Sequence, residues 1–250
     1  MKTNYGFSKA CNAGAYLAEQ LGYQYILFLN NDTEVTDGFL QSLIGELEAK
    51  REVIAVIPQI RYFHNKNKIW NCGGDISKYG NRKYFYANAD YRNISDNVKK
   101  ININFATGCC ILFRTKEFLT IGMFTEKFFF GEEDIELALR LKLLNKKMLC
   151  DMNSIIYHKV GASILGDQSK LLRKAYIHYL NRLVNMKAYL GAKWYIWMLP
   201  SVVKIMLNII RLNKVSVRQF FRFITAIVLD AYKSENVDKA KFEKILRDGF

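Results

Sequence analysis

The sequence predicts an α/β domain with a parallel sheet, followed by a basic helical region. Three observations lead there. Helix and strand signals alternate from residue 1 to about residue 158. The apolar run Tyr25-Ile-Leu-Phe-Leu29 is bounded by polar residues, as a buried parallel strand is. Residues 168–229 contain no acidic side chain, and their Lys and Arg residues are interleaved with bulky apolar ones.

In residues 12–21, Ala13, Tyr16, Leu17, Ala18 and Leu21 form one helical face, and Gly22 suits a left-handed C-terminal cap. The strand ending at Leu29 follows. Thr36 or Asp37 can cap the next helix, which buries Phe39, Leu40, Leu43, Ile44 and Leu47, and residues 53–57 before Pro58 read as another strand. That completes a β-α-β unit. Residues 61–100, rich in Asn, Lys, Tyr and Gly, have no strong period and predict loops and short strands. Residues 105–113 read as a buried strand with a glycine kink, and Thr115 as the cap of a short helix ending at Gly122. A helix over 133–144 is expected, with Asn145 in a left-handed turn at its end, then two short strands over 147–151 and 154–158. Pro200 is expected to break the helix in which it falls.

A chain of 250 residues that is 50% apolar can bury a sizeable core. Five scattered cysteines without C-x-x-C spacing suggest neither a disulfide framework nor a zinc site, and fit a reducing, cytoplasmic setting. The first residues carry no apolar stretch of signal-peptide length. The formal charge of +14 raises the question of nucleic acid, but its concentration among apolar residues after 168 points to a membrane surface instead. After Pro200, Lys204, Asn208 and Arg211 share one helical face and Val203, Met206, Leu207 and Ile210 the other. Such a helix either lies on a membrane or packs its apolar face on the same chain. No uncharged run reaches the roughly 20 residues of a bilayer span.

The candidate chemistry is that of group transfer from a nucleotide diphosphate, whose charged leaving group calls for a divalent cation held by oxygen and imidazole ligands. Asp32, in Asn30-Asn31-Asp32, would stand at the carboxyl end of a parallel strand, where ligands collect in open α/β sheets. The same tripeptide also serves as a turn device. Glu132, Glu133 and Asp134 can cap a helix, or one of them can act as a general base beside the apolar walls of residues 128–130. His158 is a metal ligand at a strand end or a hydrogen-bonded core residue.

The succession N-Y-G-F-S-K-A-C-N-A-G, Y-I-L-F-L-N-N-D-T-E-V, I-W-N-C-G-G, F-A-T-G-C-C-I-L-F-R, G-M-F-T-E-K-F-F-F-G-E-E-D-I-E-L-A-L-R and I-Y-H-K resembles the family 2 glycosyltransferases, especially rhamnosyltransferase-like members, over residues 4–190. The resemblance implies a GT-A fold, Rossmann-like and serving nucleotide-diphospho-sugar transferases. It implies a catalytic domain over 1–165 and a basic amphipathic, membrane-associated region over 166–250. Asn30, Asn31 and Asp32 match the metal and diphosphate motif, His158 the histidine that completes the metal shell, and Asp134, with Glu133 beside it, the catalytic base. Thr107 and Gly108 match the strand bordering donor and acceptor sugars, and Arg140 an arginine near the phosphates.

The implied reaction is an inverting transfer. It uses Mg2+ or Mn2+, a nucleotide diphosphate sugar such as a rhamnose donor, and a glycan or lipid-linked acceptor, at the cytoplasmic face of the cell membrane. Two departures are Thr125, where the family has Asp, and Glu136, where it has a second Asp. The family also begins with two strands that hold the nucleoside, and this chain starts after them. The expected fold is therefore N-terminally truncated, with an unpaired apolar sheet edge that a partner chain could complete. An inactive remnant serving as a membrane-bound partner protein, a nucleotidyltransferase and a nucleic-acid binder are the competing classes.

Overall fold

A computed structural model describes residues 4–160, 168–211 and 215–250. In chain order the elements are α1 (Phe7–Gln20), β1 (Tyr25–Leu29), β2 (Thr33–Val35), α2 (Phe39–Ala49), β3 (Val53–Tyr62), β4 (Ile69–Asn71), β5 (Gly74–Ile76), β6 (Arg82–Tyr84), β7 (Lys100–Ile103), β8 (Cys110–Arg114), α3 (Thr115–Thr120), α4 (Glu133–Leu143), β9 (Lys147–His158), α5 (Gln168–Leu190), α6 (Trp194–Ile210), α7 (Val217–Lys233) and α8 (Lys239–Asp248). They fall into two compact units. One comprises Lys9–Phe124 and Asp134–Ile164, the other Met1–Ser8, Thr125–Glu133 and Leu165–Phe250. The boundary expected at 165/166 lies outside the described residues.

The first unit is built on a sheet ordered β1-β8-β3-β9-β2, with β4 beside β3 and β7 beside β9. β3 and β9 are parallel, and β8 runs antiparallel to both β1 and β3. β1, β3 and β9 therefore end on the same side. β3 buries nearly every residue on both faces, which is why residues 53–57 read as a continuous apolar run, and β9 buries most of its own. Leu43 and Leu47 of α2 pack with Val53, Val56, Leu112 and Leu149 on one face. On the other, Phe28, Phe113, Phe118 and Phe124 form a cluster with ring centroids 4.7–6.2 Å apart. Alternation along β1 sends Leu27 to the first cluster and Phe28 to the second.

Local signals explain several boundaries. Gly22, at φ +75°, ends α1 in a Schellman turn, with Gly22 N donating to Glu19 O and Tyr23 N to Ala18 O. Asn145 takes φ +51° after α4. Other expectations are corrected. Neither Thr36 nor Asp37 caps α2: Gly38 occupies that position, and the Thr36 hydroxyl donates to Ile155 O at 2.7 Å. Thr115 is the first residue of α3 rather than its cap, which is Arg114.

β3 runs on through Pro58, because there the pairing with β9 skips from Asp151 to Ile155 and no ladder donor is required of the proline. The same skip lets the two strands expected over 147–158 run as one, β9. The strand expected over 105–113 begins only at Cys110, with Thr107 and Gly108 in the approach to it. Pro200 does not end its helix either. It lies within α6 on the exposed side, where the carbonyl it leaves without a partner can be hydrated.

The second unit is helical. Phe129 N donates to Val237 O and Val237 N to Lys127 O, which draws residues 125–133 to the C-terminal helices. Asn181 Nδ2 donates to Phe130 O at 2.9 Å. Arg182 Nη1 and Asn185 Nδ2 each lie 3.0 Å from Oε1 of the buried Glu132, which holds φ +73°. Tyr176, Phe223 and Phe250 form its aromatic centre, and the Trp194 indole donates to Leu183 O at 2.9 Å.

Among the described residues no strand pairs with the second edge of β1. Asn30 N donates to Cys109 O and Gln24 O accepts from Thr115 N, so even-numbered residues bond to β8. The N–H and C=O groups of Tyr25, Leu27 and Leu29 then point to the open edge. In native-state hydrogen exchange the amides of Leu27 and Leu29 should exchange at least about tenfold faster than those of Ile26 and Phe28. Equal protection along β1 would mean that the edge is covered.

Candidate donor and metal site

The carboxyl ends of β1, β3 and β9 converge with the approach to β8, and six of the expected residues, Asn30, Asn31, Asp32, Thr107, Gly108 and His158, lie there. After β1 the chain turns through Asn30, Asn31 and Asp32 into β2, which pairs antiparallel with the end of β9 so that Thr33 stands opposite His158. That register puts Asp32 beside the imidazole. His158 Nε2 lies 3.1 Å from Asp32 Oδ1, and Lys159 N donates to Asp32 O at 2.9 Å. The Thr33 hydroxyl donates to Asn30 O at 2.6 Å and tightens the turn. Asn30 N to Cys109 O ties the same turn to the Thr107-Gly108 approach, both of whose residues are half-buried.

Asp32 and His158 differ in exposure, with 36% of the carboxylate side chain accessible and 10% of the imidazole. Trp70 covers the ring at 4.4 Å between centroids, and Nδ1 is buried without a hydrogen-bond partner. The carboxylate is the part of the pair that faces solvent. Two donors at right angles on a cation, each about 2.1 Å away, lie ~3.0 Å apart, so this carboxylate and imidazole match one edge of an octahedral shell. Among the described residues no group of three or more His, Cys, Asp or Glu side chains is placed to hold a metal. The pair supplies part of a shell, which suits a cation that shares its remaining positions with water and a diphosphate.

His158 borders an open cleft of ≈ 290 Å³ lined also by Tyr62, Phe63, His64, Asn65, Lys68, Asn88 and Val160. Tyr62 donates to Asn88 Oδ1 at 2.8 Å, and Asn88 holds φ +63°. Lys68 is a cation on this wall that residue patterns did not single out, because its segment shows no period. Trp70 fell within the I-W-N-C-G-G block without being assigned a role.

Asp134 stands half-buried in the first turn of α4, its Oδ1 accepting from Ile135 N at 2.8 Å, with Glu133 before it. Arg140 is committed elsewhere. Its guanidinium bonds both oxygens of Glu136, at 3.1 and 2.8 Å, and donates to Ile121 O and Met123 O. This clamp fastens α4 to the turn after α3, where Gly122 at φ +89° would bring a Cβ within 3.3 Å of Arg140 Nη1. These four bonds give the guanidinium a role in holding the fold.

Cysteine chemistry has no place at this site. Burial, and secondarily the negative charge of Asp32, push the Cys109 thiol up to about 12, and burial raises Cys110 and Cys150 as well. All five cysteines are reduced thiols, and Cys11 alone among them is not buried. Iodoacetamide at pH 8 should modify Cys11 at least about tenfold faster than Cys109, read by mass spectrometry. Arg140→Met should lower unfolding stability by about 2–3 kcal/mol in denaturant titrations and leave nucleotide affinity unchanged.

Comparison with known proteins bears on the fold. Residues 1–121 match the model of glycosyl transferase family 2. The chain is 26% identical over 157 residues to the O-antigen biosynthesis protein RfbC of Myxococcus xanthus, a match over 61% of this chain and 12% of that protein. Among solved structures, GalNAc-T7 with UDP, GalNAc and Mn2+ superposes with a TM-score of 0.50 at 14% identity, over 78% of this chain and 40% of that one. The mannosyltransferase PcManGT of Pyrobaculum calidifontis, in complex with GDP-Man and Mn2+, gives 0.44 at 16% identity, over 98% of this chain and 68% of that one. The chain thus spans well under half the length of RfbC and of GalNAc-T7. Residues 1–121 are thus similar to the family 2 glycosyltransferases, and the fold is GT-A.

Proposed function

We propose that the protein is an inverting, metal-dependent glycosyltransferase that moves a sugar, with rhamnose the preferred candidate, from a nucleotide diphosphate to a hydroxyl of a glycan or lipid-linked acceptor. The observation that carries this reading is the Asp32–His158 pair at the carboxyl ends of β1 and β9. The GT-A neighbour solved with UDP and Mn2+ supports a nucleotide diphosphate and a divalent cation, Mg2+ or Mn2+, as what that pair receives. When bound there, the cation would offset the charge of the departing diphosphate.

The chain's own residues have separate tasks. Asp32 and His158 orient the diphosphate, with Asn30, Asn31, Thr107 and Gly108 shaping the wall beside them. Asp134 accepts the proton of the acceptor hydroxyl while that oxygen attacks the anomeric carbon from the face opposite the leaving group. One C–O bond forms as the other breaks, and configuration inverts. Holding acceptor, donor and base in line supplies much of the acceleration. No covalent intermediate is needed, in keeping with the inert Cys109.

The open edge of β1 favours a second reading, an inactive family member that serves as a partner protein and docks another chain's strand there. Titration with uridine and deoxythymidine diphosphates, with and without Mn2+, separates the two. Metal-dependent binding is expected, weakened more than about tenfold by His158→Ala and abolished by Asp32→Ala. Asp134→Asn should keep that binding and lower sugar transfer by roughly 10²- to 10⁴-fold. Absence of nucleotide binding by the folded chain would favour the partner-protein reading.

A further inference from the structure

α6 is apolar on two opposite faces, and its own unit covers only one of them. Trp194, Ile205 and Ile209 are buried, whereas Ile196, Leu199, Val203, Leu207 and Ile210 recur at three- and four-residue spacing on the other side and are 52–75% exposed. Water-facing apolar stripes of this kind mark interaction surfaces. Lys204 and Arg211, seven residues apart, line one flank of the stripe, about 90° from its centre at 100° per residue. α7 repeats the arrangement. Phe223, Ile227 and Ala231 are buried, while Val217, Phe221 and Leu229 are 74%, 62% and 51% exposed, next to the exposed Arg218 and Arg222.

We propose that the outer faces of α6 and α7 form a docking surface for an anionic lipid bilayer, on which the helices lie with their apolar side chains at the headgroup boundary. Charge selects this occupant. Neither α6 nor the first thirteen residues of α7 contain a carboxylate, so a second copy docked through the same face would set Lys204, Arg211, Arg218 and Arg222 against their own duplicates. An acidic headgroup layer supplies the missing counter-charge, and the acyl boundary takes up the stripe. Spanning is excluded for the described helices, none of which is long and apolar enough to cross a membrane. The inference stands independently of the site built around Asp32.

The test is co-sedimentation of the full chain with phosphatidylcholine vesicles and with vesicles that also contain phosphatidylglycerol. Binding is expected to the second kind only, to weaken as salt is raised, and to fall by about tenfold or more in Val203→Asp/Leu207→Asp and in Lys204→Glu/Arg211→Glu. The altered side chains are solvent-facing, and circular dichroism should show both variants folded. Their nucleotide affinity should equal that of the unaltered chain. The proposal fails if the chain does not sediment with anionic vesicles or if the variants sediment like the unaltered chain. It fails too if light scattering shows a dimer that Val203→Asp/Leu207→Asp dissociates.

Discussion

The site depends on one strand register. β2 is three residues long, and among the described residues its only pairing is with the last residues of β9, so that Thr33 faces His158 and Val35 faces Ile156. Because side chains alternate along a strand, a slip of one residue would turn His158 away from Asp32 and leave a carboxylate alone in solvent. What holds the register is not β2 itself. β9 is pinned along β3 on one side, and Thr36 adds its bond to Ile155 O just beyond β2. A buried central strand thus fixes the position of an imidazole, and a short edge strand brings the acid to it.

This division of labour matches what phosphate chemistry asks of a protein. A diphosphate brings its own oxygens to a cation, so the chain need contribute few ligands, but those few must be held without sag. Trp70 against the imidazole and Cys109 behind the Asn30 turn supply that support from the sheet. Asp134, the proposed general base, lies on a different element, α4, which is fastened by the Arg140 clamp.

Much of the framework was legible because local chemistry and global placement agree. Gly22 and Asn145 mark helix ends by backbone conformation, whereas the Tyr25–Leu29 run, read as a buried parallel strand, is an edge strand paired antiparallel with β8, in which Phe28 alone is buried. Sequence reasoning failed where a tertiary neighbour overrode a local rule. Pro58 reads as a strand end until the shifted pairing of β9 removes the need for its N–H. Pro200 reads as a helix end, yet α6 continues across it on the exposed side. Arg140 has the charge and spacing of a phosphate ligand, and only the carbonyls of Ile121 and Met123, distant in sequence, reveal its structural use. Asp32 and His158 were legible as candidates, and only the family resemblance joined them, since nothing in either segment states that β2 lies on β9.

The central claim is that Asp32 and His158 form one face of a cation and diphosphate site. Paramagnetic line broadening tests it most directly: Mn2+ is added to the isotopically labelled chain in the presence of a nucleoside diphosphate, and amide intensities are followed. The account predicts broadening centred on residues 30–33, 107–110 and 157–159, three segments far apart in sequence that the sheet brings to one edge. Broadening centred elsewhere, or none at Mn2+ concentrations that saturate the nucleotide, would contradict it.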